Sequence, residues 1–238
     1  MESCKLGSQT SEFLARTRGG LIVSCQALEH EPLHGPFFMA AMAYAAEGGG
    51  AVGIRANSPE DLRAIRRLTA LPLIGLWKVT YPGHEVYLTP TLSEAAAVAG
   101  AGADVIAIDA TGRPRPGGVS LPELIRLIHS DLGKPVLADV STRAEGLAAA
   151  EAGADLVSTA LAGYTAYSRH MEGPDLDLVS ELAACLPVPV LAEGRIWTPE
   201  EAQKALTCGA HAIVVGGAIT RPQQITQRFA TALAALRG

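Results

Sequence analysis

Lys78 ends one apolar run, PLIGLWK (72–78), and Glu193 ends another, VPVLAEG (188–194). A lysine at the rim of a buried strand is partly desolvated, which lowers its pKa and makes the neutral amine accessible as a base or nucleophile. A carboxylate in the same kind of place can give or take a proton. Gly194-Arg195 follow Glu193, and Gly216-Gly217 follow a further apolar run before Thr220-Arg221-Pro222 open a helix. Backbone N–H groups at such a glycine turn and helix start can cradle a phosphate, with Arg221 adding charge. Gln26, Arg55, Asp109 and Asp139 also stand at the ends of apolar runs. Base or nucleophile chemistry beside a phosphate cradle is what these types suit.

Each residue has a plainer reading. Lys78 can be a solvated loop lysine. Asp109 in IDATGRP can cap the turn that follows, and Asp139 in ADVST can cap the next helix. Arg55 can be an exposed strand-end arginine, although one so near apolar residues more often has a carboxylate or phosphate partner. The six histidines show no metal spacing and read as loop or helix-surface residues. There is no H-x-H or D-x-D cluster, so no metal is implied.

These side chains need a scaffold to bring them together. The 238 residues are 48% hydrophobic and 18% charged, enough apolar surface for a sizeable core and too little charge for a disordered chain. A net charge of -5 argues against nucleic-acid binding, which favours a basic surplus. No apolar run is long enough to span a bilayer, and the first residues lack a signal-peptide core. Cys4, Cys25, Cys185 and Cys208 are isolated, without C-x-x-C or zinc spacing. They read as reduced thiols of a cytosolic protein, and Cys25 alone stands at a strand end, where it could line a site.

Short Val/Ile/Leu-rich runs alternate with longer amphipathic ones. The expected strands are 20–25, 51–56, 72–78, 105–110, 135–140, 156–161, 188–194 and 212–217. Helical patterns follow each, for example 58–68, 120–129 and 198–207, opened by the N-cap residues Ser58, Ser120 and Thr198. Gly102, Gly153 and Gly209 each stand between a helix and the next strand, where a left-handed C′ residue closes the helix. Strands apolar on both faces and separated by helices imply a covered parallel sheet. Eight such units in this length predict a (β/α)₈ TIM barrel of the phosphate-binding type. A doubly wound sheet is the alternative, but no G-x-G-x-x-G follows the first strand. Residues 1–19 read as an extension with a short helix across the barrel bottom, and residues 20–238 as a single barrel domain.

SCQALEHEPLHGP, GIRA, GLWKVTYPGHEVYLTPT, IDATGRPRP, ADVST, VSTALAGYTAYS, AEGRIWTPEEA and VVGGAITRPQQIT occur in that order. Together they resemble the N-acetylmannosamine-6-phosphate 2-epimerase family of bacterial sialic acid catabolism, from about Gly20 to the C-terminus. The combination of SCQAL, EGR-x-x-TPEE and GGAITRPQQIT is specific. The resemblance implies a (β/α)₈ barrel interconverting N-acetyl-D-mannosamine 6-phosphate and N-acetyl-D-glucosamine 6-phosphate without a cofactor. It implies Lys78 and Glu193 as the catalytic pair. Gln26, Arg55 and Asp139 would hold the sugar, and Gly194, Arg195, Gly216, Gly217 and Arg221 the phosphate. Val79 and Trp197 depart from the family pattern, where a basic and a polar residue are common. Residues 1–19 and SRHMEGPDLD carry nothing over.

Inversion at C2 removes a proton from one face of a carbon beside the C1 aldehyde and returns one to the other, so two flanking groups are expected. Lys78 and Glu193 fall on the third and seventh of eight strands, opposite each other across the mouth. An ion pair between them would resist transfer, so substrate would have to separate them. Asp139 would hold a hydroxyl or orient Lys78, while Arg55 and Gln26 would orient the sugar and stabilise charge developing on O1. Other readings are a Schiff-base aldolase or lyase acting through Lys78, a non-catalytic sugar-phosphate-binding barrel, and a phosphate barrel of amino-acid or thiamine synthesis. The expected partners are a small sugar phosphate and a second copy in a homodimer, with no nucleic acid and no membrane. The expected location is the cytoplasm.

Overall fold

The computed structural model describes residues 2–236. Eight parallel strands form one closed barrel in sequence order. They are β1 (Leu21–Cys25), β2 (Gly53–Asn57), β3 (Leu73–Leu76), β4 (Val105–Asp109), β5 (Val136–Asp139), β6 (Leu156–Ser158), β7 (Val190–Glu193) and β8 (Ala212–Val215). β8 closes on β1 through Leu21↔Ile213 and Val23↔Val215. The covering helices are α2 (Pro36–Gly48), α3 (Pro59–Arg66), α4 (Leu92–Gly100), α5 (Leu121–Leu127), α6 (Arg143–Glu151), α7 (Leu176–Cys185), α8 (Pro199–Thr207) and α10 (Pro222–Ala234). α1 (Glu2–Thr17) precedes β1, and the short α9 (Gly217–Thr220) precedes α10.

The helix starts follow from their capping residues. Ser58, Ser120 and Thr198 accept the N–H of Asp61, Glu123 and Glu201, while Thr91, Thr142 and Thr198 complete reciprocal boxes with a glutamate three residues on. Gly102, Gly153 and Gly209 have φ of 103°, 98° and 99°, closing α4, α6 and α8 in the left-handed region.

Side chains alternate along each strand, and one parity fills the barrel. Ile22, Ile74, Val105, Leu137, Leu156, Leu191 and Ala212 pack together there, with Phe13 of α1 against them. The same parity, followed to the strand ends and, at Lys78 and Gly216, just past them, reaches Ser24, Arg55, Lys78, Asp109, Asp139, Ser158, Glu193 and Gly216. One register therefore gives the barrel both a dry floor and a polar mouth. The opposite parity packs on the helices, where Gly75 admits close approach: a Cβ there would lie 2.6 Å from the Cβ of Ala103. Each large apolar side chain so buried contributes roughly 1.5–3 kcal/mol.

Three strands end two or more residues short of the sequence expectation, β8 among them, at Val215 rather than 217. β3 stops at Leu76, and Trp77 and Lys78 instead pair antiparallel with residues 88–89, through the Lys78↔Leu88 bridge and Thr89 N–H to the Trp77 carbonyl at 2.8 Å. β6 stops at Ser158 because its hydroxyl accepts the Ala160 N–H and turns the chain. Cys25 points to the helices, not the mouth, and its thiol is pushed up to about 12 by burial and by Asp61. Cys185 and Cys208 are also free thiols; the side chain of Cys4 lies outside the described ones. His129 pairs with Asp155 near the barrel bottom, and His211 packs against Thr17.

Candidate active site

Arg55 is the centre of the mouth. It is 1% exposed and projects from β2 between β5 and β7. Its Nη1 donates to Asp139 Oδ1 at 3.0 Å, its Nη2 to Asp139 Oδ2, and Nη1 also lies 2.9 Å from Glu193 Oε2. Burial opposes the guanidinium charge, but Asp139 and Glu193 outweigh it and hold its pKa above the ordinary value. Asp139 is fully buried and makes no helix cap; Thr142 does that. Asp109 does hold its turn, accepting Thr111 N–H at 2.9 Å and Arg113 Nη2 at 2.7 Å.

A cavity of about 340 Å³ opens above this network. Gln26, Arg55, Lys78, Glu193, Gly194, Arg195, Gly216, Gly217 and Arg221 all line it, while Asp139 reaches it only through Arg55. Lys78 is carried by the hairpin that follows β3, its backbone N–H held by Asn57 Oδ1 at 2.8 Å. Burial, then the Arg55 and Arg221 charges, lower its pKa to about 8. Among the described residues Lys78 forms no ion pair within 4.0 Å, so its amine is not tied to Glu193. Glu193 is pushed up to about 7 by burial, against the opposing Arg55 charge and with Asp139 adding to the rise.

The other end of the cavity is backbone-rich. Gly194 has φ 111° and Arg195 φ 53°, so two successive left-handed residues turn the chain away from β7. The N–H groups of Gly194, Gly217 and Ala218 donate to no atom among the described residues. The Arg195 guanidinium is largely committed to the loop after β6, with Nη1 to Ala162 O at 2.8 Å and Nε to Gly173 O at 3.1 Å. Its buried Nη2 has no partner among the described residues. Arg221 is paired with Glu31, Nε to Oε1 at 2.9 Å. At Gln26, Nε2 donates to Ser24 Oγ at 2.9 Å and the buried Oε1 is unpartnered among the described residues.

Sequence reasoning passed over three residues here. Thr159 clamps the end of β7, donating to the Glu193 carbonyl at 2.9 Å and accepting its N–H at 3.0 Å. Tyr87, opposite Val79 in the hairpin, lines the cavity. Glu31 holds Arg221. The apolar-run pattern gives no signal for hairpin or loop residues. No group of three or more His, Cys, Asp or Glu arranged to hold a metal occurs among the described residues.

The profile of a family described as "Putative N-acetylmannosamine-6-phosphate epimerase" matches residues 39–235. The chain belongs to this family. A protein of Caldanaerobacter subterraneus subsp. tengcongensis, described as "Putative N-acetylmannosamine-6-phosphate 2-epimerase", is 55% identical over 92% of this chain and 93% of its own. A Clostridioides difficile protein of the same description is 49% identical over 93% and 99%. The solved N-acetylmannosamine-6-phosphate 2-epimerase of Clostridium perfringens superposes with a TM-score of 0.90 at 48% identity, covering 92% of this chain and 95% of that one. The likeness to a Pyrococcus furiosus thiamine phosphate pyrophosphorylase, TM-score 0.61 at 18% identity, shows the barrel alone.

Proposed function

We propose that the protein interconverts N-acetyl-D-mannosamine 6-phosphate and N-acetyl-D-glucosamine 6-phosphate by moving a proton at C2. Membership of the epimerase family supports the reaction. The observation that carries the mechanism is the pair facing one cavity, Lys78 lowered to about 8 and Glu193 raised to about 7. Groups with pKa values so close to neutrality, and to each other, can exchange roles as base and acid between the two directions.

With the sugar open, C1 is an aldehyde and the C2 hydrogen is acidic, because the carbanion delocalises onto O1. One of Lys78 and Glu193 takes that proton, and the other returns one to the opposite face. Arg55, anchored by Asp139, stabilises the developing charge on O1. Asp139 acts by fixing Arg55, and Gln26 orients the acetamido group through its free Oε1 and amide. The unpaired N–H groups of Gly194, Gly217 and Ala218, with Arg195 and Arg221, receive the phosphate. That phosphate serves as a handle which fixes a small polar substrate in a productive pose. The Glu193-Gly194-Arg195 turn thus faces both the reacting carbon and the phosphate. Every step uses side chains and substrate alone, so the reaction proceeds without a cofactor.

Further readings accompany the reaction. Residues 20–238 form one barrel domain after an extension at 1–19. Phe229 and Leu233 of α10, 69% and 59% exposed, support a homodimer, which sedimentation would test. The acidic charge speaks against nucleic acid, and free cysteines suit the cytoplasm. No helix among the described residues is long and apolar enough to cross a membrane.

Incubation with N-acetylmannosamine 6-phosphate, followed by proton NMR, tests the proposal. Appearance of N-acetylglucosamine 6-phosphate supports it. Binding without turnover would contradict it in favour of a non-catalytic barrel, and borohydride trapping of a sugar on Lys78 in favour of Schiff-base chemistry.

A further inference from the structure

The loop from β1 to α2 carries Gln26 and Leu28 on the cavity wall and, off that wall, Glu31. The Glu31 side chain is 9% exposed, and three hydrogen-bond donors and one further ion contact, from Arg221 Nε, meet its carboxylate. Leu28 N–H donates to Oε2 at 2.7 Å, and Gln223 Nε2 donates to Oε1 at 2.8 Å. Arg221 brings Nε within 2.9 Å of Oε1 and donates from Nη2 to Oε2 at 3.2 Å. The contact uses one edge of the guanidinium, and Arg221 Nη1 is engaged by no described atom.

We propose that Glu31 is the positioning residue of the phosphate end of the site. It takes the Nε–Nη2 edge of Arg221, fixes the plane of a long and otherwise mobile side chain, and leaves Nη1 for a phosphate oxygen. The fork geometry permits this sharing, because a guanidinium has five N–H donors and two separate edges. Leu28 N–H and Gln223 hold the carboxylate from other directions, so it stays in place when the anion arrives. Its negative charge offsets that of Arg221. Phosphate is therefore held by aimed donors at short range, the backbone N–H groups of Gly194, Gly217 and Ala218 included, more than by net positive charge.

The same carboxylate ties the two ends of the substrate together. Thr220 Oγ1 donates to the Ser24 carbonyl at 2.8 Å, and Gln26 donates to Ser24 Oγ at 2.9 Å. Glu31 adds a second link between that strand end and the start of α10, so the loop bearing Gln26 and the cation for the phosphate move as one body. This inference rests on the sugar-phosphate reading above, and it gives the EHEP stretch of the sequence a task.

The test is Glu31→Gln, alone and with Arg221→Gln, read by steady-state kinetics on N-acetylmannosamine 6-phosphate and by calorimetric titration with inorganic phosphate. Losing one charge-assisted contact raises KM about tenfold and weakens phosphate binding by a similar factor, with kcat held. The added effect of Glu31→Gln vanishes in the Arg221→Gln background. A fall in kcat that persists in that background would show a merely structural loop anchor and overturn the proposal. Tighter phosphate binding by Glu31→Gln would also overturn it, by showing that the carboxylate competes with the anion. If Glu31→Gln fails to fold, Glu31→Asp keeps the charge and shortens the reach, and the same rise in KM with kcat held is expected. The phosphate titration needs no turnover, so failure of the proposed reaction leaves this inference separately testable.

Discussion

Arg55 and Glu193 lie 84 and 54 residues from Asp139 in sequence, yet a single guanidinium nitrogen of Arg55 is 3.0 Å from Asp139 Oδ1 and 2.9 Å from Glu193 Oε2. Asp139 takes both arms of the fork, and Glu193 shares Nη1 with it. The consequence is that Glu193 is held in place without being held strongly in its charged form. Arg55→Met leaves both carboxylates buried without a cation. The expected cost is about 3–5 kcal/mol, measured by urea unfolding. Arg55→Lys keeps the charge but not the fork. It weakens the pull on Glu193, and the low-pH limb of the activity profile moves upward.

The pH dependence follows from the two shifted groups. One member of the pair must be deprotonated and the other protonated, and with values of about 7 and about 8 that condition is met best between them. A bell in kcat/KM with its maximum between about 7 and about 8 is expected, falling as Glu193 protonates on the acid side and as Lys78 deprotonates on the alkaline side. The opposite proton assignment gives the same bell, since the two limbs belong to the pair. A plateau extending above pH 10 would show that Lys78 is an ordinary lysine.

Packing can be tested away from the chemistry. Gly75 faces the helices, and an added methyl would meet the Cβ of Ala103 at 2.6 Å and Leu62 Cδ1 at 3.0 Å. Gly75→Ala therefore overpacks this contact, with an expected loss of about 1–3 kcal/mol in denaturant unfolding. The residue is not on the cavity wall, so KM changes little in whatever fraction remains folded.

The alternation of eight strands and helices is legible in the chain because each strand is apolar on both faces and each turn has its own chemistry. Gly102, Gly153 and Gly209 are left-handed where the helix-closing reading puts them, and Ser58, Ser120 and Thr198 cap the helices they precede. The parity of the strands also brings Arg55, Asp139 and Glu193 to one mouth. What is not legible is who holds whom. Asp139 can cap a helix or bind a cation on local grounds, and only the closed barrel, with β2 and β5 brought across from each other, decides for Arg55. The Arg221–Glu31 contact spans 190 residues, beyond any local pattern. Lys78 reads as the end of a strand, but it stands on a hairpin, because Trp77 and Thr89 exchange hydrogen bonds that no periodicity signals.

The measurement that tests the central claim most directly is the isotope at C2. N-acetylmannosamine 6-phosphate is converted in D₂O and followed by proton NMR, with Lys78→Ala and Glu193→Gln alongside. Two flanking groups, each exchanging with solvent, predict N-acetylglucosamine 6-phosphate carrying deuterium at C2, and a loss of epimerisation of about 10²- to 10⁴-fold in each variant. Product that keeps its original C2 hydrogen, or full activity in either variant, would contradict the assignment of Lys78 and Glu193 as the proton-transferring pair.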